Sequence, residues 1–278
     1  MENNRWTIPE LVARYELEPE LIDVFVEGSL DREILTHAIP RASLGPVFYE
    51  VDSVHVPAEV LQKYGMSSGN KQRVIALAKE LSVLPEGAKV TCLVDRDLDH
   101  WFSDLVGDKR LKWSIYCSIE CHFLTPESVR DVAQTTARVK IKRLDNFLSS
   151  LLTVLRVLFS LRLVDREMNL ALRWTALRKY LSRDGDAIVF DSVKYVAALL
   201  NANAKRTITQ DFLGRQQAWL NKLNCDIRLS ARGHDYTELL AWAISEFGGQ
   251  KEFASEVAIE RLFVLLSRSV HSVAAELQ

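Results

Sequence analysis

Asp23-Val24-Phe25-Val26-Glu27-Gly28-Ser29-Leu30-Asp31 and Val90-Thr91-Cys92-Leu93-Val94-Asp95-Arg96-Asp97-Leu98-Asp99 are the stretches that decide the fold. Each is a short apolar run that ends in carboxylates. An open α/β sheet places its ligand crevice outside the carboxyl ends of its strands, so acids in this position face a crevice. Crowded carboxylates repel one another unless a cation neutralises them. A hard divalent ion such as Mg²⁺, or Mn²⁺, takes oxygen ligands of this type. Glu27, directly after the first apolar run, is placed to hold a metal or to take a proton from water. Gly28 is expected to let the backbone turn tightly behind it. Asp95 and Asp97 are expected on one side of an extended strand end, because side chains alternate with period two. Asp31 either joins the metal shell or caps the following helix, and Asp99 is a second-tier candidate.

Working outward, Thr7-Ile8-Pro9-Glu10 supplies a Thr cap and a Pro near a helix start, so residues 1–20 read as a short helical lead-in. Residues 21–26 form the first strand, and a helix begins over 31–37. The segment 46–54 is rich in β-formers. Val74, Leu77, Ala78 and Leu81 recur at helical spacing and predict a helix over 70–81. Strands are expected over 90–94 and 113–117. Strand alternating with helix predicts an α/β fold, a mainly parallel sheet flanked by helices.

From Thr125 the character changes. Pro126-Glu127 opens a long stretch nearly free of Gly and Pro, and Leu144, Phe147, Leu148, Leu151, Leu155, Leu158 and Phe159 trace one apolar helix face. A turn is expected at Ser182-Arg183-Asp184-Gly185-Asp186, with helices resuming over 210–223, 236–247 and 252–270. The expected division is residues 1–125 for the α/β domain and 126–278 for a helical second domain. Arg138, Lys140, Lys142 and Arg143 make a short basic cluster there, either a nucleic-acid contact or a solvated helix face.

The chain has 278 residues, 48% of them hydrophobic and 26% charged, the composition of a globular protein with a sizeable core. The formal charge of −2 argues against a strongly basic nucleic-acid binder, so any basic surface must be local or supplied by a partner. Four cysteines do not make a disulfide scaffold, and Cys117, Cys121 and His122 lack a second pair at zinc spacing; core thiols in a reducing cytoplasm are expected. Met1-Glu2-Asn3-Asn4-Arg5 does not lead into an apolar run, so no signal peptide is expected. The apolar stretch 148–164 contains Arg156 and Arg162 and is expected to be a buried or partner-facing helix, with no membrane association.

The strand ending in Glu27-Gly28, the Asp four residues beyond it, and the later strand ending in Asp95-x-Asp97 resemble the Toprim signature. Ser67-Ser68-Gly69-Asn70-Lys71 resembles the Gly-x-Lys segment that opens a helix in Toprim nucleases of the overcoming-lysogenization-defect (OLD) type. Residues 115–124 resemble a strand followed by Ile-Glu-Asn-Tyr-Leu, with Cys121 and His122 in place of the usual Asn and Tyr, so Glu120 alone carries over. Gly233-His234-Asp235 stands before a helical run, as a similar tripeptide does in this group; Asp235 is equally placed to cap that helix. The chain is similar to the Toprim effectors of PARIS-type anti-phage defence systems, chiefly over residues 20–125.

The resemblance implies a Mg²⁺-dependent nuclease, with Glu27, Asp95, Asp97 and Glu120 as metal ligands and Asp31 and Lys71 in support. It further implies an ABC-like ATPase partner that restrains the effector, a homodimer when active, and cleavage of tRNA in the anticodon loop. An OLD-like DNA nuclease is the alternative within enzymes. From another class, a Toprim fold serving only as an interaction module would keep its biological activity when Glu27 is changed to Ala.

Overall fold

The computed structural model describes residues 5–39 and 45–277. The chain divides into two units, residues 1–119 together with 264–278, and residues 120–263. The expected break at 125/126 therefore falls slightly earlier, and the last residues rejoin the first unit.

In the first unit the elements are β1 (Trp6–Thr7), α1 (Ile8–Leu17), β2 (Asp23–Val26), α2 (Ser29–Ala38), β3 (Val47–Glu50), β4 (Val54–His55), α3 (Ala58–Lys63), α4 (Asn70–Leu81), β5 (Thr91–Val94) and β6 (Leu111–Trp113). The expected lead-in helix is α1; Thr7 caps it in a reciprocal box with Glu10, and Pro9 occupies its first turn. Its expected first four residues lie outside the described segments. A four-stranded sheet runs in the order β3-β2-β5-β6, and every pairing in it is parallel. β1 and β4 form a separate parallel pair. The chain leaves β2 toward β3 on one side and leaves β5 toward β6 on the other. The gap between the ends of β2 and β5 is thus the topological switch point, where open parallel sheets hold ligands.

β2 is buried along its whole length, as a central parallel strand covered on both faces must be. The helix expected over 70–81 is α4. Its Val74, Leu77, Ala78 and Leu81 are fully buried in one core with Phe25, Cys92 and Val94. Burying each Leu or Val contributes about 1.5–3 kcal/mol, so α4 is held against the sheet at a fixed depth. The strand expected over 113–117 ends at Trp113; beyond it the Ser114 N–H still donates to Val94 O at 2.8 Å, but the chain then turns away.

The C-terminal return is stitched by polar contacts. Buried Glu276 accepts the Ile115 N–H on both oxygens at 3.0 Å, Lys112 Nζ donates to Leu277 O at 3.0 Å, and Arg268 Nε donates to His37 O at 3.0 Å.

The second unit contains α5 (Pro126–Arg130), α6 (Leu144–Glu167), β7 (Leu181–Asp184), β8 (Ala187–Phe190), α7 (Ser192–Ala202), α8 (Thr209–Lys222) and α9 (Gly233–Glu246); α10 (Glu256–Leu266) crosses the boundary, and α11 (His271–Ala274) lies in the returning segment. Thr125 caps α5. The expected apolar face of α6 is buried through Phe147, Leu151, Leu155, Leu158 and Phe159. By length and composition α6 is long enough to cross a bilayer, yet 61% of its most apolar window is buried within the structure. The expected turn at 182–186 is the tip of an antiparallel hairpin, β7 with β8, which adds strands to a region read as helical. Gly185 at its tip has φ +57°, a conformation that favours glycine. Phe123 and Tyr236 stack on Phe263 at 4.5 and 5.6 Å between ring centres.

One further expectation changes and one holds. Arg138, Lys140, Lys142 and Arg143 are exposed, but on a non-helical, turning segment in which Val139 and Ile141 are buried, not on a helix face. Cys92, Cys117 and Cys121 are buried thiols outside any disulfide, as expected.

Candidate active site

Glu27 follows the last residue of β2, and Asp95 follows the last residue of β5. The parallel register pairs Val24 with Thr91 and Phe25 with Cys92, which brings Glu27 level with the end of β5. Glu27 Oε1 accepts the Asp95 N–H at 2.9 Å. Asn70 at the start of α4 donates from Nδ2 to Glu27 O at 2.9 Å. The two strand ends and the start of α4 therefore converge on one residue, Glu27, Asp95 at its carboxylate and Asn70 at its backbone carbonyl.

That carboxylate is partly buried. Burial raises its pKa from 4.5 to about 7 against the opposing Asp95 N–H bond, with Asp97 and Asp99 adding to the rise and Lys71 offsetting part of it. Such a shifted acid at a strand end marks a functional-site candidate on physical grounds.

Lys71 lies in the first turn of α4, as expected. Its ammonium is 3.0 Å from Asp97 Oδ2 and 2.5 Å from Asp99 Oδ2, and it sits 5.2 Å from the centre of the Trp113 ring. Burial works to lower its pKa, but the two aspartates outweigh that and leave it raised. Asp99, a second-tier candidate in the sequence, thus shares the Lys71 ammonium with Asp97.

The period-two expectation for Asp95 and Asp97 does not hold. β5 ends at Val94, and Asp97 has φ +45°, in the left-handed region that Asp tolerates better than most residues. Its N–H donates to Cys117 O at 2.8 Å. Asp97 is aimed by a tethered turn, not by strand alternation.

Asp31 caps the helix: its Oδ2 accepts the Gly28 N–H at 3.0 Å. It also lines, with Glu27, Asp95 and Ser114, a cavity of about 10 Å³, room for about one water-sized occupant. Gly28 itself has φ −147° and ψ 178°, extended backbone open to any residue, so no tight turn requires a glycine there. Ser114 was not foreseen. Its Oγ accepts the Arg96 N–H at 3.1 Å and donates to Tyr116 O at 2.6 Å, which fixes the chain between Asp95 and Asp97.

Glu120 belongs to the second unit, in the short turn Ile119–Phe123, where its charge contributes to the raised pKa of Glu260. His234 and Asp235 also lie in that unit. Asp235 is inside α9 and buried, bonded through Oδ1 to Arg162 Nη2 at 2.6 Å, so it is not the helix cap.

Glu27, Asp31, Asp95, Asp97 and Asp99 bring five carboxyl groups to this edge of the sheet, and Lys71 pairs with two of them, Asp97 and Asp99. Hard oxygen donors gathered in this way fit a divalent cation in chemistry. In their present rotamers, however, no three His, Cys, Asp or Glu side chains among the described residues are grouped as a finished metal site. No protein-family model matches the chain, and no curated protein matches it.

Proposed function

We propose that the chain is a Mg²⁺-dependent Toprim nuclease, the effector of a bacterial anti-phage defence system, cytoplasmic and restrained by an ABC-like ATPase until release. Its substrate is tRNA, cut in the anticodon loop, and its active form is a homodimer. The observation that carries the reading is Glu27, a desolvated carboxylate at the switch point of a parallel sheet, bonded to Asp95 and next to Asp97 and Asp99.

Glu27, Asp95 and Asp97 are the side chains that would hold Mg²⁺ or Mn²⁺, with Glu120 a further ligand implied by the resemblance alone. When bound, the ion supplies a charge-neutralising contact to the scissile phosphate and a more acidic water. Glu27, raised to about 7 by burial in the metal-free chain, is suited either to hold the ion or, where the ion does not engage it, to accept the proton of the attacking water. Lys71 holds Asp97 and Asp99 in place, and its ammonium at the start of α4 adds to a helix N-terminus that favours phosphate. Asp31 keeps the Gly28 amide engaged, which fixes the backbone behind Glu27.

One observation favours the non-catalytic module: Lys71 already neutralises the two aspartates that a cation would otherwise engage. The test is to incubate the wild-type chain and Glu27→Gln with total tRNA and with plasmid DNA, in Mg²⁺ and in chelator, and to sequence the ends. New RNA ends that need both Glu27 and Mg²⁺ support the proposal. Breaks in DNA alone move the reading to an OLD-like DNA nuclease, and no Glu27-dependent cleavage of either leaves the module.

A further inference from the structure

The second unit holds a cavity of about 160 Å³, within reach of a single nucleobase in size and too small for a whole nucleotide. It lies between α6, α7, α9 and the segment before β7. Arg162 of α6 is fixed in plane by Asp235, at 2.6 and 3.3 Å, and its guanidinium stacks 3.7 Å from the centre of the Trp174 ring. The indole is itself anchored, since Trp174 Nε1 donates to Asp165 Oδ2 at 3.2 Å. A guanidinium plane held and backed in this way is a platform of the kind on which unpaired bases stack.

Two polar groups at the cavity are short of partners. Thr175 Oγ1, behind the cavity wall, is buried without a hydrogen bond, a condition that in a native fold calls for an explanation such as an ordered water. Glu238 accepts one long bond, from the Leu177 N–H at 3.4 Å. Burial raises its pKa, and the charges of Asp235 and Glu256 add to the rise. A carboxylate in this setting gains most from a ligand that brings two adjacent donors.

We propose that this cavity binds one nucleobase by its Watson–Crick edge, with guanine preferred. Among the four RNA bases guanine alone sets two donors side by side, N1–H and N2–H, which match the two oxygens of Glu238; adenine and cytosine alternate donor with acceptor, and uracil flanks its donor with acceptors. An arginine side chain also offers paired donors, but it would bring a second guanidinium against Arg162. A loop base turned out of its stack into a snug pocket is a familiar way to read single-stranded nucleic acid. Assignment of the base to an RNA loop rests on the nuclease reading, whereas capture of the base does not.

The test is isothermal titration of the full chain with guanosine, inosine, adenosine and cytidine, and with a short single-stranded RNA carrying one guanine beside its inosine counterpart. Guanosine is expected to bind about tenfold or more tighter than inosine, the discrimination of a bidentate base contact. Glu238→Gln should erase that preference, and Ala176→Phe, at an exposed lining position, should block binding while the far-UV spectrum and unfolding midpoint stay those of wild type. Glu27→Gln should bind guanosine unchanged, which separates this site from the fate of the nuclease reading. Equal binding of guanosine and inosine, a preference that survives Glu238→Gln, or tighter binding of N-acetylarginine amide than of guanosine overturns the proposal. A guanine preference carried into the RNA pair supports a loop base; a preference confined to the free nucleoside overturns the RNA assignment.

Discussion

Changing Glu27 to Gln tests both the desolvation of this carboxylate and its role toward a cation. Its folded-state pKa is about 7 against an ordinary 4.5. At about 1.4 kcal/mol per unit, that rise corresponds to about 3 kcal/mol, which solvent at the open rim of the site reduces to about 2 kcal/mol. The sign follows from proton uptake. Since the folded chain holds the proton to higher pH than the unfolded chain, the contribution of Glu27 is full below pH 4.5 and is lost as pH rises through 7. Other carboxyl groups titrate in the same range, but they cancel in the difference between wild type and Glu27→Gln. In chelator, the unfolding midpoint of Glu27→Gln should rise relative to wild type by about 4–8 °C between pH 4.5 and 7.5. Mg²⁺ at tenfold its dissociation constant should then restore about 1.4 kcal/mol to wild type at pH 7.5, and little at pH 5 or to the variant. Differential scanning fluorimetry across this grid reads both effects. Parallel pH curves for the two proteins would refute the desolvation argument, and equal Mg²⁺ stabilisation of both would remove Glu27 from the cation site.

Lys71→Met strips the bonded cation from Asp97 and Asp99 and should cost about 2–3 kcal/mol in urea unfolding, less than a fully buried pair would because Asp97 is partly exposed; Mg²⁺ should recover much of the loss. Tyr15→Phe removes the hydroxyl that donates to buried Asp23 Oδ2 at 2.9 Å and should cost about 1–3 kcal/mol, while Arg14 retains its ion pair. Phe263→Ala empties the stack between Phe123 and Tyr236 and should cost about 3–5 kcal/mol by the same assay. Gly28→Ser should leave stability within about 0.5 kcal/mol of wild type, because the backbone there is extended and serine is a good helix cap.

Much of the first unit is legible in sequence because the features that build it are local and repeated. Val74, Leu77, Ala78 and Leu81 specify one helix face, and a run such as 24–26, apolar on successive positions, specifies a strand covered on both sides. The features that escaped depend on contacts between distant residues. The bond from Arg162 to Asp235 spans 73 positions, and that from Ile115 to Glu276 spans 161; nothing in the periodicity of either segment encodes its partner. The hairpin at 181–190 escaped for a different reason: its strands are no shorter than β2 or β5, but they are mostly exposed and so carry no buried apolar run to mark them.

The candidate site shows the same division within a few residues. That Glu27 and Asp95 stand together follows from two strand ends and a parallel register, and both ends are written in the sequence. Where Asp97 and Asp99 point does not follow, because alternation stops with the strand at Val94 and the chain then obeys its tethers: the Asp97 N–H bond to Cys117, the Ser114 clasp on Arg96, and the ion pairs to Lys71. A left-handed Asp97 costs conformational energy, and these contacts hold it there. The consequence is a site of two parts: a rigid pair, Glu27 with Asp95, set by the sheet, and a second pair, Asp97 with Asp99, held by the Lys71 ammonium. Any cation that recruits Asp97 must compete with that ammonium, so the strength of the Lys71 contacts, more than the number of acids, would set how readily the proposed site takes up metal.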